Sequence, residues 1–101
     1  MLDLVLSTRT VNANQLASIQ SRRVWDNQSY KSKISRLKGD DWTEVLNNGK
    51  LERRLREVAL TDVYSEVLLL DRQQLMRLDK DHADLFKNGR WEWVAKGKWV
   101  E

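Results

Sequence analysis

The chain contains no proline and only four glycines, Gly39, Gly49, Gly89 and Gly97, in 101 residues. Glycine and proline supply most of the low-energy ways for a backbone to reverse or to leave a regular element. The points where this chain can change direction are therefore few. Each glycine follows a stretch with periodic apolar residues and serves as a landmark between elements.

Between the landmarks the apolar spacing alternates in some places and turns with helical period in others. Leu2, Leu4 and Leu6 alternate with Asp3, Val5 and Ser7, which predicts a first strand. Asn12 and Gln15 have capping-box spacing, and Ala13, Leu16, Ala17, Ile19 and Val24 predict a helix over 13–24. Tyr30, Ile34 and Leu37 recur at helical period before Gly39, predicting a second helix over 28–38. Asp41 with Glu44 caps a short segment carrying Trp42, Val45 and Leu46, which ends at Asn48-Gly49. That dipeptide also reads as a type I′ hairpin turn, but Leu51, Leu55, Val58 and Ala59 keep helical spacing and favour a helix over 50–60.

Further along, Val63 to Leu70 is rich in β-branched and aliphatic residues, as expected of a central strand covered on both faces. Asp71 and Gln74 repeat the capping spacing. Leu75, Leu78, Leu85 and Phe86 then predict a helix over 72–87, with a break near 79–81. Trp91, Trp93 and Trp99 flank Ala95-Lys96-Gly97 and predict a small hairpin of 90–94 and 98–100. The fold expected is α+β: a small mixed or antiparallel sheet of the N-terminal strand, the strand 63–70 and the tryptophan hairpin, packed against four to five helices. At 12.0 kDa the folded surface should be about 6,000 Å² against roughly 17,000 Å² extended. One compact domain over 1–101 is expected.

Composition closes off several chemistries. There is no cysteine, so disulfides, thiolate metal sites and thiol nucleophiles are excluded. The apolar N-terminus is short and carries Asp3 where an export signal has positive charge. The longest aliphatic run, Val67 to Leu70, falls far short of the roughly 20 residues of a membrane span. A cytoplasmic protein without a membrane segment is expected. The cluster Asp79-Lys80-Asp81-His82-Ala83-Asp84 holds the single histidine, yet Asp84 and Arg90 stand where a calcium loop needs glycine and glutamate. No Gly-x-Ser-x-Gly elbow occurs, and Gly49-Lys50 is followed by Leu51 instead of the hydroxyl residue of a phosphate loop. No metal, no cofactor and no catalytic set is expected.

Charge is segregated along the chain. Residues 1–39 carry a net +5, residues 40–71 a net −4 and residues 72–101 a net +2. In the basic third, Ser32-Lys33-Ile34-Ser35-Arg36-Leu37 reads like the recognition helix of a helix-turn-helix. On that reading Arg22, Arg23, Lys31, Lys33, Arg36 and Lys38 would contact phosphates, while Ser32, Ser35 and Arg36 would reach base edges. The tryptophans support a different function. Trp91 and Trp93 lie two apart on a strand and point to one side, with Trp99 expected to face them from the returning strand and Arg90 beside them. Exposed indoles bury large areas at protein interfaces while offering an N–H donor. The leading expectation is a non-enzymatic protein-binding or regulatory module using Trp91, Trp93, Trp99 and Arg90, with self-association through the same surface. The alternative is a DNA- or RNA-binding regulator using 22–38.

Overall fold

The structure, a computed structural model, describes residues 22–100. Over them the chain forms eight strands and, among these residues, no helix. They are β1 (Val24–Asn27), β2 (Ser32–Lys38), β3 (Asp41–Leu46), β4 (Leu51–Leu60), β5 (Ser65–Leu69), β6 (Gln74–Leu78), β7 (His82–Lys87) and β8 (Arg90–Trp99). Each pairs antiparallel with the next, and β8 returns to pair with β1, closing an up-and-down barrel. Closure of this kind leaves no strand edge free.

The all-β barrel overturns the expected α+β fold with its four to five helices. The predicted strand 2–6 and most of the predicted helix 13–24 lie outside the described residues, while Val24 opens β1. The helices predicted over 28–38, after Asp41, over 50–60 and over 72–87 are instead β2, β3, β4 and the β6–β7 hairpin. The predicted C-terminal hairpin is the single strand β8, which runs straight through Ala95-Lys96-Gly97. The strand predicted over 63–70 contains β5, paired on both sides by β4 and β6.

Two features of the strands explain why helical spacing misleads. The first is a set of β-bulges: Leu37, Glu52, Val58 and Val94 are each an extra residue in their ladder. A bulge breaks the two-residue alternation locally. Leu37 (57% exposed) and Val58 (39% exposed) are surface residues, yet they complete the apparent helical spacings of 28–38 and 50–60. The second is a partly polar interior. Ser32, Glu44 and Glu57 are buried, so the inward positions of β2, β3 and β4 do not read as apolar. Tertiary pairing also overrides the helix-favouring composition of β4, Leu-Glu-Arg-Arg-Leu-Arg-Glu-Val-Ala-Leu.

The core joins Trp25, Ile34, Trp42, Leu55, Val67, Leu69, Met76, Leu78, Ala83 and Ala95, with Leu85, Val94 and Trp99 against it. At one end of the barrel, here called the base, large rings fill the interior. The Trp42 and Trp99 rings meet edge-on at 6.2 Å and 61°. Trp25 donates its indole N–H to the Asp79 carbonyl at 2.7 Å, tying β1 to the β6–β7 turn. Gly97 is what lets Trp25 lie there: a Cβ at Gly97 would overlap both the Trp25 ring and the Asp26 carbonyl. The opposite end, the mouth, carries the β1–β2, β3–β4, β5–β6 and β7–β8 turns. At the last of these Asn88 (φ 51°) and Gly89 (φ 79°) link the paired Lys87 and Arg90, the two-residue arrangement of a type I′ turn.

Candidate protein-contact surface on β7 and β8

Trp91, Trp93 and Trp99 share odd numbers, so a regular strand would send all three to one face. The bulge at Val94 prevents this. Asp84 pairs with Trp93 and Ala83 with Ala95, leaving Val94 as the extra residue. Before the bulge, Trp91 and Trp93 lie outside, opposite Phe86 and Asp84. After it, Ala95 and Gly97 are buried, and Trp99 sits opposite the buried Trp25. One inserted residue thus divides the indoles between a surface and a core.

The outer pair builds an aromatic face. Trp93 is 60% exposed and Phe86 40% exposed. Phe86 packs on Trp91 at 5.1 Å between ring centroids. Trp91 is further held by the Arg77 guanidinium, 3.8 Å from its ring centroid, and Arg77 also covers Tyr64 at 4.3 Å while pairing with Glu66 at 2.9 Å. Cation–π contact of this kind holds a ring in place by covering one of its faces. Sequence reasoning missed Phe86, Arg77 and His82 because it placed them on a helix. The signal was present: Asn88-Gly89 as a type I′ turn sets Phe86 opposite Trp91.

His82 supports Trp93 from β7. Its ring stacks on the indole at 6.3 Å and 15°. Nδ1 meets Asp81 Oδ1 at 2.6 Å and Nε2 meets Asp84 Oδ2 at 3.3 Å. The hydrogen bond to Asp81 raises the His82 pKa above its ordinary value; burial opposes the shift, and the charges of Asp84 and Asp79 reinforce it. Asp79, Asp81 and His82 bring ligand atoms within 4.8 Å of one another. Both ring nitrogens of His82 are nevertheless taken up by carboxylates, so the arrangement reads as an ion-paired imidazole.

The surroundings of Trp93 are charged on two sides. Asp81 and Asp84 lie toward β7, whereas Lys96 and Lys98 follow along β8, with Lys87 and Arg90 at the β7–β8 turn. Among the described residues none of these four cations forms an ion pair. Arg90 is exposed at the first position of β8. Trp99 is on the inner side, with the Arg22 guanidinium 5.5 Å from its ring centroid.

The basic segment 22–38 forms the β1–β2 hairpin, so the recognition helix proposed from Ser32 to Leu37 does not exist. Its residues are scattered across both faces. Arg22 is buried and donates from Nη2 to the Thr61 carbonyl at 2.5 Å. Burial lowers its pKa, and the charge of Glu57 opposes that shift. Arg36 pairs with Glu57 at 2.8 Å and covers the Trp42 ring at 5.0 Å. Ser32 is inside the barrel and donates to Glu44 Oε2 at 2.5 Å. Lys33 pairs with Asp26 at 3.2 Å on the outer wall, next to the outward Ser35. Arg23 and Lys38 are exposed, and Lys31 sits in the β1–β2 turn at φ 60°.

At the base, Glu57 pairs with Arg36, and its charge reaches the buried Arg22. Its Oε1 accepts from both Arg36 and the Trp42 N–H, at 2.8 and 3.0 Å. Burial pushes the Glu57 carboxyl above the usual carboxylate range, against the pull of Arg36 and the Trp42 N–H. This cluster is closed off by rings and serves as a plug. Comparisons with protein-family models, with curated proteins and with solved structures find no match to this chain.

Proposed function

We propose that this protein is a non-enzymatic protein-binding module whose contact surface is the outer face of β7 and β8 centred on Trp93. The partner presents an apolar side chain to Trp93 and Phe86, with acidic groups toward Lys96 and Lys98 and a basic group toward Asp81 and Asp84. The observation that carries this reading is Trp93 itself, an indole 60% exposed yet held by a stacked imidazole on a closed barrel wall. A ring ordered before contact loses little freedom on binding, which is the economy found at interface hot spots.

The mixed charge around Trp93 favours a protein over a nucleic acid. A continuous polyanion drawn to Lys96 and Lys98 would meet Asp81 and Asp84 on the other side of the same ring. A protein can match both signs within one contact, and such matching sets specificity and register.

The test compares capture from nuclease-treated lysate by the wild type, Trp93→Ser and Lys96→Glu, each first shown to melt like the wild type. A protein retained by the wild type and lost with either variant supports the proposal. Equal retention by Trp93→Ser would contradict it. Binding of an oligo(dT) probe with steep salt dependence would replace it by single-strand stacking. Self-association that disappears in Trp93→Ser would make the occupant a second copy of this chain.

A further inference from the structure

The two ends of the barrel are filled unequally. Trp25, Trp42 and Trp99 occupy the base, whereas the inner wall toward the mouth carries the small residues Ser32 and Ala95. A cavity of about 340 Å³ remains at the mouth. This is at the lower end of the range for small-molecule sites, and eight strands leave room for one small ligand when the side chains do not fill the interior.

The cavity has two chemically different walls. Leu69, Met76, Leu85, Val94 and Ala95 form an apolar side from β5 to β8. Facing them are Asn27, Glu44 and Arg53, with Arg72 and Tyr30 from the turns. The Arg53 Nε–H is buried without a hydrogen-bond partner. The nearest carboxylate oxygen to that nitrogen is Glu44 Oε1 at 3.5 Å, and Asp71 lies at 3.9 Å. These are ion-pair distances, too long for a good hydrogen bond, so the Nε–H can still donate to a ligand oxygen. Glu44, almost fully enclosed, is satisfied at its other oxygen by Ser32.

We infer that this mouth cavity binds a small, uncharged amphipathic molecule, with an apolar ring or chain against Met76 and Leu85 and a carbonyl or hydroxyl oxygen accepting from Arg53. Charge decides the head group. Glu44 and Arg53 balance each other at the floor, so a buried anion would lie against Glu44 and a buried cation against Arg53. Arg53 is also neutralised by Glu52, whose Oε2 is 3.1 Å from its Nη2, and by Asp71, while the lining Arg72 is exposed on the β5–β6 turn. Three carboxylates around one guanidinium disfavour a fourth. The site lies on the inner side of the wall and is independent of the Trp93 surface.

The experiment uses three probes with one skeleton: phenylacetamide, phenylacetate and phenethylamine, titrated while the methyl resonances of Leu69, Met76, Leu85 and Val94 are followed. The amide should shift those methyls and the Arg53 Nε–H, binding at least about tenfold more tightly than either charged probe. Ala95→Leu, which fills the cavity from β8, should abolish the shifts while the indole spectrum stays native. If that variant does not fold, Leu85→Phe makes the same test from β7. Arg53→Lys keeps the charge but removes Nε, and should weaken the amide by roughly tenfold. Absence of binding up to millimolar amide, equal binding of a charged probe, or unchanged binding in a folded cavity-filled variant would overturn the inference.

Discussion

Gly97 shows how one residue ties the core to the chain's few glycines. No other residue type fits between Trp25 and the Asp26 carbonyl. Gly97→Ala should therefore lower stability by about 1–3 kcal/mol or more, as overpacked sites do, read as a fall in denaturant midpoint at unchanged slope. Glu57 has a comparable role among polar residues, since Arg36 pairs with it and Arg22 feels its charge. Glu57→Ala leaves the part-buried Arg36 without its ion-pair partner and removes one of the carboxylates acting on Arg22, and should cost about 3–5 kcal/mol. His82 supplies a pH dependence. Its folded pKa is raised above the unfolded value of about 6.5, so its contribution to stability is complete below the unfolded value. It is lost as pH rises through the folded one. The His82 titration midpoint, followed by NMR, should lie above the ordinary value and fall toward it in Asp81→Asn.

At the scale of the element, the informative feature is the bulge at Val94. Removing one residue from a regular strand sends every later side chain to the other face. Deletion of Lys96, in the regular stretch that follows the bulge, should bring Trp99 out to the face of Trp91 and Trp93, and the protein should lose its cooperative unfolding transition; deletion of Val94, the extra residue itself, should leave Trp99 inside. A sharp, native-like transition in the Lys96-deletion variant would contradict the pairing described for β8. The same bulges explain what could be read from the amino-acid sequence. The side-by-side placement of Trp91 and Trp93 was legible, because two residues of regular strand separate them. The strand around Val67 was legible because Val67, Leu68 and Leu69 are apolar at successive positions. β2 and β4 were not, because the bulge residues Leu37 and Val58 mimic a helical stripe, and because inward Ser32 and Glu57 hide the true alternation. Asn88-Gly89 directly follows the spacing that predicts a helix over 72–87 and suits a helix end, but its two positive φ values make it a hairpin turn. Trp99 was grouped with the outer pair because a one-residue irregularity has no marker in the residues themselves.

For the whole molecule, closure divides every strand into an inner and an outer face, and the proposed function depends on that division. The outer tryptophans can change without touching the core. Trp93→Ser should alter stability by no more than about 0.5 kcal/mol, in the range of surface substitutions. Trp42→Ala should cost about 3–5 kcal/mol, as loss of a large buried ring does. The most direct test of the division is hydrogen exchange at the indole nitrogens of ¹⁵N-labelled protein dissolved in D₂O. The Trp25 and Trp42 N–H groups, donating to Asp79 and Glu57 inside the barrel, should persist long after Trp93 has exchanged within the dead time. A protected Trp93, or an immediate loss of Trp25 and Trp42, would contradict the division of the indoles between core and contact surface.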